Sequence, residues 1–125
     1  MKYLCLAYEE EQKLNALSES DWHALRDETL AYVEDLQKRG QYVASAALQS
    51  VHTATTVRVR GGKMSATDGP FAETKETLGG IFLIEARDLN DAIQVAANWP
   101  SARIGSIEVR PIEEELPKGR RYMRA

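Results

Sequence analysis

Ile81-Phe82-Leu83-Ile84-Glu85-Ala86, followed closely by Asp88-Leu89-Asn90-Asp91-Ala92-Ile93-Gln94-Val95-Ala96-Ala97, is the stretch from which the fold can be read. Its first half is short and largely apolar on both alternating faces, the pattern of a strand covered from two sides. In the second half Leu89, Ala92, Ile93, Ala96 and Ala97 recur at helical spacing, with Asp88 as a candidate N-cap. Trp99-Pro100 closes that helix, because the residue before a proline is biased away from helical backbone. Downstream, residues 104–112 predict a last strand, with Ile107 and Val109 alternating against Glu108 and Arg110.

Upstream, Thr55, Val57 and Val59 alternate with Thr56, Arg58 and Arg60, and Gly61-Gly62 signals a hairpin turn into a short return strand over 63–66. Asp68-Gly69-Pro70 ends that return, a polar loop runs to Thr77, and Gly79-Gly80 leads into the strand at Ile81. Residues 42–48 predict a short strand of small residues, Val43-Ala44-Ser45-Ala46-Ala47 at its centre. Before it, Ser18 is a candidate N-cap, Trp22, Leu25, Leu30, Tyr32, Val33 and Leu36 form a helical stripe, and Lys38-Arg39-Gly40 is a helix stop. The chain opens on a strand over 2–8 with Leu4, Leu6 and Tyr8 on one face and Tyr3, Cys5 and Ala7 on the other. Glu9-Glu10-Glu11 then reads as a solvated loop.

The order is β-α-β-β-α-β with an extra hairpin, a ferredoxin-like α+β arrangement. Two helices cover one face of a four-stranded antiparallel sheet, and the other face, also apolar on the inner strands, needs a second cover. A face-to-face homodimer supplies it most simply.

The 125 residues, 43% hydrophobic and 28% charged, suit one domain over 1–112, followed by a charged tail over 113–125. That tail holds Glu113-Glu114-Glu115 and then Lys118, Arg120, Arg121 and Arg124. A lone Cys5 forms no internal disulfide, no Cys/His cluster has zinc spacing, and the apolar run from Tyr3 to Tyr8 is too short to span a membrane. The expectation is a soluble protein of a reducing cytoplasm, without metal or organic cofactor. A net charge of −3 argues against direct nucleic-acid binding. Neither glycine pair belongs to a phosphate-binding loop.

Chemistry concentrates in Thr67-Asp68-Gly69-Pro70-Phe71-Ala72-Glu73-Thr74-Lys75-Glu76. Asp-Gly-Pro is turn chemistry in its own right, and a purely structural loop would explain those three residues. It would not explain an isolated aromatic followed by a carboxylate, a hydroxyl and an ammonium, which a stiff loop could present to one small ligand. Asp68 is the candidate catalytic acid or base. Phe71, Thr74, Lys75, Glu76, Arg110 and His52 are candidate binding residues, although Arg110 also suits pairing with a strand acid, and His52 a solvated loop. Arg58 and Arg60 read as a solvated strand face, Trp22 and Trp99 as packing residues, and Cys5 as an inert small hydrophobe.

Asp68-Gly69-Pro70-Phe71-Ala72-Glu73-Thr74-Lys75-Glu76, Gly79-Gly80 and Ile107-Glu108-Val109-Arg110-Pro111 resemble the YCII-related proteins of the DGPF type, as do the opening Met1-Lys2-Tyr3-Leu4 and Asp88-Leu89-Asn90-Asp91-Ala92. The resemblance reaches to about Ile112 and implies a dimeric α+β barrel of ferredoxin-like subunits. At fold level it points to cofactor-free enzymes that isomerise or dehalogenate small ring compounds, a dehydrochlorinase among the YCII relatives. Some DGPF proteins are linked to alternative sigma factors. The histidine on the first helix of shorter YCII proteins is not carried over: His23 lies in the first turn, and the corresponding region falls around Thr29. Two readings result. One is a protein that binds a small polar or aromatic metabolite in a cleft beside the DGPF loop, with cofactor-free acid–base chemistry. The other is a non-catalytic ligand-sensing or regulatory dimer.

Overall fold

The computed structural model describes residues 1–122; Arg124 of the basic tail lies outside the described residues. Its first strand, β1 (Lys2–Glu9), alternates as the sequence predicts. Tyr3, Cys5 and Ala7 are buried on one face, while Leu4, Leu6 and Tyr8 on the other are only half-buried. The expected loop at Glu9-Glu10-Glu11 is corrected: Glu9 ends the strand, and a short helix α1 (Glu11–Asn15) begins directly after Glu10. The carbonyl of Glu10 accepts from the N–H groups of Lys13 and Leu14, which sets that turn. Five residues are too few to leave a readable helical period.

The long helix α2 (Glu19–Lys38) starts where Ser18 Oγ accepts from the Asp21 N–H at 3.1 Å. It stops in a Schellman arrangement: Gly40, at φ +70°, donates to the Gln37 carbonyl and Gln41 donates to that of Leu36. β2 (Tyr42–Ala47) follows, then a 3-10 turn at Val51–Thr53 and the hairpin strands β3 (Thr55–Arg60) and β4 (Lys63–Asp68). Gly61 and Gly62 both have positive φ, the geometry of a two-residue type I′ hairpin turn. β5 (Thr77–Glu85) is longer than expected, because Gly79-Gly80 lie inside it. Gly80 pairs with both Ala7 and Ala47. α3 (Leu89–Ala97) is capped by Asp88, whose carboxylate accepts from the Asp91 N–H at 2.9 Å. The last strand, β6 (Ser106–Pro111), begins two residues later than its predicted start, after a 3-10 turn at Pro100–Arg103.

β2-β5-β1-β6 form one antiparallel sheet in that spatial order, and β3–β4 stand apart as a two-stranded hairpin. This is the ferredoxin-like α+β topology with an added hairpin. Tyr3, Cys5, Phe82 and Ile84 from the sheet meet Leu36 of α2 and Val95 of α3 in the core. Each large apolar side chain buried there contributes roughly 1.5–3 kcal/mol. Trp99 stacks on Phe82 with centroids 3.9 Å apart, and Tyr32 reaches across from α2 to donate to the Val95 carbonyl at 2.7 Å. Arg103 grips Glu28 through two hydrogen bonds of 2.7 Å, tying α2 to the turn after α3. Leu4, Leu6, Ile81 and Leu83 line the face of the sheet away from the core and are half-buried. Among the described residues, no helix is long and apolar enough to cross a membrane.

Candidate functional site

The turn after β4 is held from both sides: Gly69 N–H donates to the Ala54 carbonyl at 2.8 Å, and Thr56 Oγ1 donates to the Gly69 carbonyl at 2.9 Å. Gly69 takes φ +109°, a backbone open to glycine and strained for other residues. Beyond it the candidate side chains diverge. Phe71 is 80% exposed, with the Arg58 guanidinium 5.7 Å from its ring centre, so Arg58 does more than face solvent. Thr74 Oγ1 donates to the Glu76 carbonyl at 2.5 Å, and Lys75 Nζ lies 3.4 Å from Glu10 Oε1. The Glu76 carboxylate accepts from Ser106 Oγ at 2.8 Å. Asp68 is exposed at the end of β4 and, among the described residues, its carboxylate makes no hydrogen bond or ion pair. Arg110 closes onto Glu108 of its own strand. Thr74, Lys75 and Glu76 thus each meet a different partner: the Glu76 carbonyl, Glu10 and Ser106.

Two clefts flank the loop. Lys75 and His52 border a polar crevice of about 320 Å³ with Glu10 and Glu11. Glu11 is occupied there, accepting from Ser50 Oγ at 2.6 Å and from the Val51 N–H at 2.7 Å. The Ser50 and Val51 bonds hold its carboxyl below the usual carboxylate range. The second cleft, about 570 Å³, lies between Tyr8, Leu48 and Val51 on one side and Pro70, Phe71 and Thr74 on the other. A cleft beside the loop therefore exists, with Phe71 and Thr74 on its wall. Asp68 and Arg110 line neither of the two.

A third cavity, about 430 Å³ and mostly apolar, opens between α2 and the sheet. Trp22, Leu25, Leu30 and Val33 of α2 form one wall, and Phe82, Trp99 and the small residues Ser45, Ala46 and Ala47 form others. Here the stripe of α2 is only partly used. Leu36 is the helix's sole fully buried residue, whereas Trp22 remains 45% exposed and Leu30 53%. Small side chains on β2 leave unfilled the space that a bulkier strand would occupy. Few polar groups enter it. Thr29 Oγ1 already donates to the Leu25 carbonyl at 2.8 Å, and Ser45 Oγ bonds the Tyr42 hydroxyl at 2.7 Å.

Glu9 reaches this cavity from the end of β1, beside Gly79 and Gly80. Burial, aided by the nearby Glu11 charge, pushes its carboxyl above the usual carboxylate range. Glu9 is not legible in the sequence, because three consecutive acids read as solvent-facing. The signal that could have found it is Gly79, opposite in the sheet: a Cβ built there would lie 2.0 Å from Glu9 Oε1. A ring ligand with one proton-exchanging polar group is the chemistry this arrangement suits. Cys5 offers no nucleophile, since burial pushes its thiol up to about 12. Among the described residues no three His, Cys, Asp or Glu side chains gather as a metal-ligand set.

The model of the YCII-related domain matches residues 1–115. An uncharacterized protein of Rhizobium meliloti (strain 1021) is 37% identical over 118 residues, which cover 90% of this chain and 92% of that one. Among solved structures, 5-chloro-2-hydroxyhydroquinone dehydrochlorinase (TftG) from Burkholderia phenoliruptrix AC1100, in complex with 2,5-dihydroxybenzoquinone, superposes with a TM-score of 0.55. It is 15% identical, with 92% of this chain and 96% of that one covered, a likeness of fold alone.

Proposed function

The chain belongs to the YCII-related family, and from that premise we propose that it binds a small ring compound in the cavity between α2 and the sheet, as a site for cofactor-free acid–base chemistry. The observation that carries this reading is the cavity itself: aromatic and aliphatic on most sides, of a size for one small ring, and entered by a single half-buried carboxyl. The hydroxyquinone bound by the dehydrochlorinase of similar fold supports the ligand class.

Both tryptophans of the chain line the cavity, so intrinsic fluorescence reports directly on its occupancy. Titration with phenol or toluene should give a saturable change in emission. Ala47→Phe, which places a ring in the space opposite α2, should abolish that change while far-UV circular dichroism stays native. A change in the wild type that never saturates, or one that Ala47→Phe leaves intact, overturns the reading.

A second reading is favoured by the cleft of about 570 Å³ beside the DGPF loop. It suits a ligand-sensing or regulatory dimer whose ligand rests on Phe71 and Thr74, with Asp68, Lys75, Glu76 and His52 on the surrounding segments. Phe71→Ala and Asp68→Asn would then weaken binding that Ala47→Phe does not touch. Either reading includes a homodimer closed over the free sheet face.

A further inference from the structure

We propose that Glu9 is the polar anchor of the cavity between α2 and the sheet: its carboxyl group takes the hydroxyl of a small neutral ring compound, so that the site selects phenol-like rings over purely apolar ones. This rests on the ring-binding reading above and adds to it the residue and the ligand feature that decide selectivity.

Three adjacent glutamates provide an internal comparison. Glu10 is held by Lys75 and Lys13, at 3.4 Å and 3.8 Å. Glu11 is saturated by the Ser50 hydroxyl and the Val51 N–H. Glu9 alone of the three makes, among the described residues, no side-chain hydrogen bond and no ion pair, and it alone lines the apolar cavity. The other charged group on the wall, Arg26, pairs with Asp27 at 3.5 Å. Half-buried acceptors without partners cost desolvation free energy that a ligand donor can offset.

The strand opposite leaves room for this carboxyl. β1 and β5 change register between Ala7 and Tyr8, leaving Gly79 without a paired residue across the ladder. A side chain there would collide with the carboxyl, its Cβ 2.0 Å from Oε1 and 2.7 Å from Cδ of Glu9. Gly79 has an ordinary negative φ range for a strand, so its small size, rather than its backbone freedom, is what the position uses. Trp99, stacked on the buried Phe82, gives the same cavity an aromatic wall, which suits a hydroxyl carried on a flat apolar ring.

Phenol and toluene, matched in size and differing in the hydroxyl, are the probes, with binding to the full chain read by tryptophan emission and calorimetry. The wild type should bind phenol about tenfold or more tightly than toluene. Glu9→Leu should erase that preference while keeping or improving toluene binding. Gly79→Ala, which leaves Glu9 in the chain but displaces its carboxyl, should reduce the preference in the same direction and stands as the test if Glu9→Leu does not fold. A phenol preference that survives both changes, with toluene still bound, overturns the role of Glu9 and leaves the ring-binding reading standing. Absence of saturable binding of either probe to the wild type overturns both.

Discussion

Cys5 and Glu11 show opposite ways in which single side chains are tuned. The Cys5 thiol, fully buried between sheet and helices and pushed up to about 12, should resist iodoacetamide at neutral pH in the native protein and react once the chain is unfolded in denaturant. Alkylation followed by mass spectrometry decides it, and fast native labelling would mean the strand opens. Glu11 works through its charge: Ser50 and Val51 bond its carboxylate and lower its pKa from 4.5. Its contribution to holding the 50–53 turn is present above that ordinary value and lost as pH falls through the lowered folded one. The protection factor of the Val51 amide, its exchange measured against the intrinsic rate at each pH, should therefore fall on acidification below pH 4.5, and in Glu11→Ala it should be low throughout. At this scale the caps were legible, because Ser18 and Asp88 bond backbone a few residues away. Glu9 was not, because its carboxyl lies against Gly79, a residue far along the chain.

Elements with a clear period are legible in the sequence, and those defined by contrast are not. β1 alternates, α3 has its apolar stripe, and both formed where expected. β5 extends beyond its predicted start because two glycines that imitate a turn lie within the strand, where Gly80 pairs with both β1 and β2. The stripe on α2 predicted a helix correctly but not how little of it would be covered. That depends on the small residues of β2, and a void between two elements is written in neither of them. Leu36 is the exception, sealed at the C-terminal end of α2. Leu36→Ala should cost about 2–5 kcal/mol in a urea titration with an unchanged m-value, whereas Leu30→Ala, at a half-exposed cavity wall, should cost well under half as much. Equal costs would mean that the wall is packed against something else.

The whole molecule joins a one-sided helix layer to a sheet whose second face is, among the described residues, only half covered. Leu4 and Leu6 of β1 lie beside Leu83 and Ile81 of β5, four apolar side chains in register at the sheet's centre. A single subunit leaves them half-buried, and contiguous apolar surface of this kind favours a partner. A second copy packed across the same patch satisfies two-fold symmetry and is the homodimer proposed above. Sedimentation equilibrium of the wild type should then give twice the chain mass, and Leu83→Lys, which sets two like charges against each other across the axis, should give a monomer. The ring cavity lies on the opposite side of the sheet, under α2, so the monomeric variant should still show the saturable tryptophan response to phenol. A monomeric wild type, or a dimer unmoved by Leu83→Lys, would exclude this face as the interface. Loss of phenol binding on dissociation would instead mean that the cavity holds its shape only while the sheet is braced from behind, which makes assembly part of the site.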